Sequence, residues 1–228
     1  MANKNKEENP QGLKNVEETL TRTEKYLEEN YKPLLTGLLV IVALVGLFYL
    51  GRMYLNKRNN EAETQIYQAQ KWLEVDSLKL ALNGDGNYLG FLEIAKNYKM
   101  TRAGNLAKYG AGICYLHLNQ YQEAIDMLTS YKGKDGIIAS LAEGAIADAH
   151  VELGDLDKGV AGYLKAAVTA ENSFNTPLFL LKAGQIYELQ GKYSEAMKLY
   201  EEIRDKYPES TEGTSIEKYI SRVKLLMK

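Results

Sequence analysis

Apolar positions along this chain follow two rhythms. From Pro33 to Gly51 (PLLTGLLVIVALVGLFYLG) they run almost unbroken and without a charge. At 1.5 Å of rise per residue, such a run is just long enough to cross a bilayer core of roughly 30 Å as a helix. Beyond about residue 100 they instead recur every three or four positions between charged and amide side chains, the rhythm of helices with one buried face. Runs of β-branched residues are rare outside the apolar stretch, and only four prolines occur (Pro10, Pro33, Pro177, Pro208). The pattern predicts an all-α chain with one membrane-crossing helix and a polar helical domain after it.

The helical domain repeats itself. Three segments align: LAKYGAGICYLHLNQYQEAIDML (106–128), LAEGAIADAHVELGDLDKGVAGYL (141–164) and LFLLKAGQIYELQGKYSEAMKLY (178–200). Each has a small residue followed three positions later by a ring-bearing one: Gly112/Tyr115, Ala147/His150, Gly184/Tyr187. Each then has a turn residue (Asn119, Gly154, Gly191), a large apolar residue two positions on (Tyr121, Leu156, Tyr193), a second small residue (Ala124, Gly159, Ala196) and a bulky one (Leu128, Tyr163, Tyr200). Small residues let two antiparallel helices approach where they cross, and the turn residues tolerate the left-handed conformation that ends a helix. Equivalent small residues lie 35 and then 37 positions apart. That pattern resembles the tetratricopeptide repeat, a unit of helix, turn and helix with a period of about 34 residues. Pro208 falls where that repeat commonly ends its second helix.

The fold class expected is therefore all-α: a single transmembrane helix followed by a tetratricopeptide-like helical-hairpin solenoid. Residues 1–33 read as a polar amino-terminal segment, the first 15 or so disordered, and 34–55 as the transmembrane anchor. Residues 56–228 read as the repeat domain, with a degenerate first pair at 58–99. In that pair, one helix over 58–82 continues from the anchor and a shorter one spans Tyr88 to Tyr98. Repeats follow at about 103–133, 138–170 and 176–208, and a capping helix at 211–227 closes the array, as solenoids require.

A buried core helix would also be apolar, but such helices rarely run this long without a charge. Tyr31 on one side and Tyr49 and Tyr54 on the other fit an interfacial belt. A cleavable signal is not expected: seven glutamates precede the run, and no Ala-x-Ala pattern follows it. Orientation is undecided by charge, because Lys14, Arg22, Lys25 and Lys32 on one side balance Arg52, Lys57, Arg58 and Lys71 on the other. Gly37, Gly46 and Gly51 lack the Gly-x-x-x-Gly spacing of tight helix pairs, and no ionisable residue within the run suggests an ion path.

Of the 28 basic and 30 acidic residues, six and seven fall in residues 1–51, which leaves 22 and 23 in the rest. That balance gives no electrostatic reason to expect nucleic acid as a ligand. The lone Cys114 lies in an apolar helical stretch, where a small buried side chain is the ordinary reading. Asn83 to Gly90 (NGDGNYLG) has neither the glycine spacing of a dinucleotide loop nor the glycine and twelfth-position glutamate of a calcium loop, so it reads as a turn. His117 and His150 fall at repeat-helix positions, and Glu201/Glu202 read as a solvated helix face. No catalytic triad or metal-spaced cluster is apparent; no enzyme activity, cofactor, metal or small-molecule substrate is expected.

A polar start, one anchor and such repeats together resemble the YfgM family of bacterial inner-membrane proteins. The local similarity is carried by IAKNYKMTRAGNLAKYGAGICYLHLNQYQEAIDMLTSYKGKDGI (94–137) and runs on weakly to about residue 205. The resemblance implies an ancillary subunit of the SecYEG translocon that associates with PpiD, a membrane-anchored periplasmic chaperone. It also implies a single-pass inner-membrane protein with a cytoplasmic amino terminus and periplasmic repeats. The function expected is a non-enzymatic scaffold that binds proteins and helps hand secreted chains to periplasmic chaperones. The alternatives are a tether for envelope assembly or cell division, a repeat domain on an inverted anchor, and a membrane-bound sensor or enzyme. In tetratricopeptide arrays the first helix of each pair lines the inner surface. Carrying those positions over gives Tyr109, Ile113 and His117, then Asp148 and Glu152, then Lys182, Gln185 and Glu188. Taken singly, each has an ordinary solvated or core role as its simplest reading.

Overall fold

The computed structural model describes residues 10–228, with side chains at Thr21 and from Glu24 onward. The disorder expected at the amino terminus falls for residues 1–9 outside the described residues; from Pro10 the backbone is helical. The chain divides into two compact units, Met1–Tyr54 and Leu55–Lys228.

In the first unit, helix α1 (Pro10–Glu74, its last turns belonging to the second unit) has a kink at Asn30, where φ is −116° and ψ 15°. Pro33 is the cause: its ring crowds the preceding turn and it has no N–H to donate. Asn30 Nδ2 donates to the Tyr26 carbonyl at 2.9 Å, and Thr36 Oγ1 to the Lys32 carbonyl at 2.8 Å. Beyond the kink, the apolar side chains from Leu34 to Tyr54 lie exposed. Among the described residues, this is one helix long and apolar enough to cross a membrane.

The second unit begins with the end of α1 and continues through α2 (Leu78–Asn83), α3 (Phe91–Asn97), α4 (Arg102–His117), α5 (Tyr121–Ser130), α6 (Gly136–Glu152), α7 (Leu156–Thr169), α8 (Asn175–Leu189), α9 (Tyr193–Lys206) and α10 (Thr211–Leu226). The expected single helix over 58–82 is broken. Asp76 adopts φ 53°, its N–H bonds the Leu73 carbonyl and the Ser77 N–H bonds that of Trp72. This is a Schellman ending, formed here on an aspartate where the sequence offered no glycine to announce it. The following turn is also longer than expected, so α3 starts at Phe91 rather than Tyr88. Asp85 Oδ1 accepts from the N–H groups of Asn87 and Tyr88 at 2.9 and 2.8 Å, which holds the Asn83–Gly90 segment as a turn.

The three repeat hairpins end their first helices in one way. Asn119, Gly154 and Gly191 have φ of 58°, 82° and 72°. In each, the next residue's N–H (Gln120, Asp155, Lys192) reaches back to Tyr115, His150 and Tyr187. The sequence-aligned ring residues are thus the carbonyl acceptors of the same turn. Second helices start straight from these turns, without side-chain caps. First helices need their own: Thr101 Oγ1 caps α4, Asp135 Oδ1 caps α6, and Asn172 Oδ1 accepts from Phe174 and Asn175 at the start of α8.

The small residues sit where helices cross. Ala124, Ala147 and Ala196 are fully buried, and a methyl on Gly112 would come within 2.5 Å of Leu128 Cγ. Around them lie two large apolar clusters. One joins Ala62, Ile66 and Ala69 of α1 to Phe91, Ile94 and the alanine face of α4. The other runs from α6 to α10 through Tyr163, Phe179, Tyr200, Ile203, Ile216 and Ile220. A small cluster on Leu128, Ala142 and Ala145 spans the junction between the first and second hairpins. One hairpin cannot bury its apolar face alone, so stacking supplies the core.

Candidate partner-binding face

First helices touch one another along the stack: α4 with α6, α6 with α8, α8 with α10. Among the described residues no such contact joins α5 to α7 or α7 to α9. The first helices are therefore on the tighter, inner side of the array, and α10 takes the place of a fourth first helix. The eight residues expected on this face all lie on α4, α6 and α8.

The structure brings four of them into two polar groups. Asp148 Oδ1 accepts from Tyr163 Oη at 2.6 Å and from Lys182 Nζ at 2.7 Å. Lys182 Nζ also stands 5.4 Å from the centre of the Tyr163 ring. Nearly two turns further along α8, Glu188 takes a bidentate pair from Arg222, at 2.8 Å from Nε and 2.7 Å from a terminal nitrogen. Its Oε1 accepts Tyr200 Oη as well, at 2.5 Å, and Gln185 Nε2 reaches Tyr219 Oη at 3.4 Å. Such forks are among the stronger ionic contacts, and the Glu188 side chain is only 10 % exposed. Burial, then the bond to Asp148, pushes the Tyr163 hydroxyl well above its ordinary range. Burial and Glu188 do the same to Tyr200, and Glu188 raises Arg222 in turn. Both phenols are held protonated, as donors.

The other four residues lie elsewhere. Tyr109 and Ile113 pack half-buried on the small cluster at the hairpin junction, where the Tyr109 and Tyr131 ring centres are 5.9 Å apart. His117 is exposed, and so is Glu152, which accepts a long 3.4 Å bond from Tyr121 Oη. Sequence reasoning missed Tyr219 and Arg222. The signal was present: Asp148–Lys182, Gln185–Tyr219 and Glu188–Arg222 are all 34 residues apart, one repeat period. Extending the register into α10 would have found both. With Gln185, Glu188 and Leu189 they line an open pocket of about 440 Å³.

A tetratricopeptide-repeat family model matches residues 106–135 and 179–210. The fold is a tetratricopeptide-like solenoid of helical hairpins. The two matched stretches hold α5 and α9 with much of α4 and α8, while the α6–α7 hairpin between them keeps the same turn and crossing without matching. No curated protein matches the chain. Repeats of this kind present a surface for other proteins. The carboxylates on this face are taken up by Lys182, Arg222 and phenolic donors, and no described His/Cys/Asp/Glu group of three or more could hold a metal ion.

Proposed function

We propose that this chain is a non-enzymatic, membrane-anchored scaffold that holds protein partners on the inner face of its repeats. The observation that carries the reading is the row of first helices α4, α6, α8 and α10, cross-braced at one-period spacing and ending in an open pocket at Gln185 and Arg222. The exposed apolar stretch of α1 supports the anchor, since exposed apolar side chains along 20 or so residues suit lipid and not water. The likeness of residues 94–137 to the YfgM family supports a finer reading. In it, the protein is an accessory subunit of the SecYEG translocon in the bacterial inner membrane, with its repeats in the periplasm beside a PpiD-like chaperone.

In-cell cross-linking of the full chain, followed by mild solubilisation and identification of what co-purifies, tests both levels. A control lacking residues 103–210 but keeping the anchor runs beside it. Translocon subunits and a periplasmic chaperone are expected from the full chain, with the chaperone lost from the control. Division or envelope-assembly proteins in their place would overturn the translocon reading and leave the scaffold standing. A full chain that brings down no protein beyond the control's would overturn the scaffold.

A further inference from the structure

A second surface lies where α4 begins and the α5–α6 loop returns. There Thr101, Asn105 and the loop from Tyr131 to Asp135 border a pocket of about 770 Å³. Its charge departs sharply from a domain with 22 basic and 23 acidic residues. Lys99, Arg102, Lys108, Lys132 and Lys134 line it against the single carboxylate of Asp135. Two of these six are already engaged. Lys108 Nζ donates to the Ser130 carbonyl at 3.1 Å, at the carbonyl end of α5. Asp135 Oδ1 accepts from the N–H groups of Ile137 and Ile138 at 2.9 and 3.2 Å and so caps α6. The remaining four cations make no ion pair among the described residues, and together they give the pocket a positive potential that favours an anionic ligand.

The pocket wall is not only charged. Met100 is 73 % exposed beside it, and Leu106, Tyr131 and Ile138 supply half-buried apolar surface. The loop is held in place: Asn105 Oδ1 accepts from the Lys132 N–H at 3.0 Å, and Gly133 lies under the Tyr131 phenol, where a Cβ would collide with it. A compact inorganic anion would use the charges and leave the apolar wall wet. Its size is that of sites which enclose a side chain or a small ligand rather than a single ion.

We infer that this pocket is a second docking site, for an acidic peptide segment of a partner protein that carries an apolar side chain among its carboxylates. The apolar side chain sits against Met100, Tyr131 and Ile138, and the flanking carboxylates meet Lys99, Arg102, Lys132 and Lys134. The inference does not depend on the inner-face reading.

The test uses the full chain in neutral detergent and a short fluorescein-labelled peptide of glutamates around one phenylalanine, read by anisotropy at low salt. Saturable binding is expected. It should fall about tenfold or more when salt rises toward 1 M, where the screening length shrinks to about 3 Å. Lys132→Glu with Lys134→Glu should weaken it at least tenfold with unchanged helical circular dichroism. A probe with serine for the phenylalanine should bind several-fold more weakly. Lys182→Ala, on the inner face, should leave the affinity unchanged. No binding by the wild-type chain, or equal binding by the doubly substituted one, overturns the site. Loss of binding in Lys182→Ala merges it with the inner face and overturns its independence. Lysine-dependent capture on phosphatidylglycerol vesicles that the peptide does not displace assigns the pocket to lipid headgroups and overturns the peptide reading.

Discussion

Leu38, Ile41 and Leu47 of α1 are 57, 59 and 67 % exposed, whereas Ala107, Ala147, Ala183 and Ala196 of the repeats are not exposed at all. The larger apolar side chains are thus on the surface of one region, and the smallest are at the heart of the other. Beyond the kink α1 runs on as one helix, so along the apolar run its backbone polar groups pair within the helix, as a hydrocarbon environment would require, and side chains there need only be apolar. In the repeats, helices must approach closely, so position and size matter as well as polarity. The two regions therefore use apolar side chains in different ways, and substitutions in them should fail independently.

The largest effect should come from the repeats. Tyr200 is fully buried, packs 5.5 Å from Tyr219 between ring centres and donates to Glu188. Tyr200→Ala should cost about 3–5 kcal/mol through the cavity and the lost bond. Thermal unfolding of the full chain in detergent should fall by roughly 10 °C, while carbonate extraction of the membrane-bound protein stays as in the wild type. A loss below about 1 kcal/mol would mean that the α8–α10 core is not packed as described.

The converse substitution is Val42→Arg, placed mid-run on α1 at 59 % exposure. A central arginine costs about 2.5–3.5 kcal/mol of insertion on translocon-based scales. The expected result is partial or complete release by carbonate with the repeat domain melting as before. Full retention in the membrane would count against the anchor.

These two positions also show how far the sequence could be read. Val42 was legible because an uncharged run needs no partner to be recognised. Tyr200 was legible as a bulky repeat position, and so were the left-handed turns at Asn119, Gly154 and Gly191, because local conformation alone selects those residues. What depended on a partner far along the chain was legible only through the repeat period and not from the local sequence. Nothing local to Arg222 says that it will meet Glu188, and the ending at Asp76 came from a residue type that adopts the left-handed region only in some contexts. The basic pocket was hidden for another reason: Lys99, Arg102, Lys132 and Lys134 come from two separate stretches, each too sparse to stand out.

A smaller effect should appear at high pH. Tyr163 and Tyr200 have hydroxyls raised by burial and then by Asp148 and Glu188, so the folded form holds its protons where the unfolded chain releases them. Their contribution is complete below about pH 10 and is lost as pH climbs above it, by up to about 1.4 kcal/mol per tyrosine for each unit. Denaturant midpoints of the wild type should therefore drop between pH 10 and 11. Tyr163→Phe should start lower, having lost one bond, and drop less steeply. Parallel slopes would show that Tyr163 titrates freely and is not a buried donor.

The smallest perturbation sharpens the comparison by asking on which side of the membrane the repeats stand. Cys114 is fully buried and its thiol is pushed up to about 12, chiefly by burial. At pH 8 only about one such thiol in 10⁴ is ionised, and the thiolate is the reacting form. The wild-type chain in intact cells should thus remain unlabelled by a membrane-impermeant maleimide until it is denatured. Lys132→Cys, at an exposed loop position, should change stability by less than about 0.5 kcal/mol and add one accessible thiol. Labelling of that thiol in intact cells is the outcome expected for periplasmic repeats. If it labels only after the inner membrane is opened, the anchor runs the other way, and the domain must find its partners in the cytoplasm with its fold unchanged.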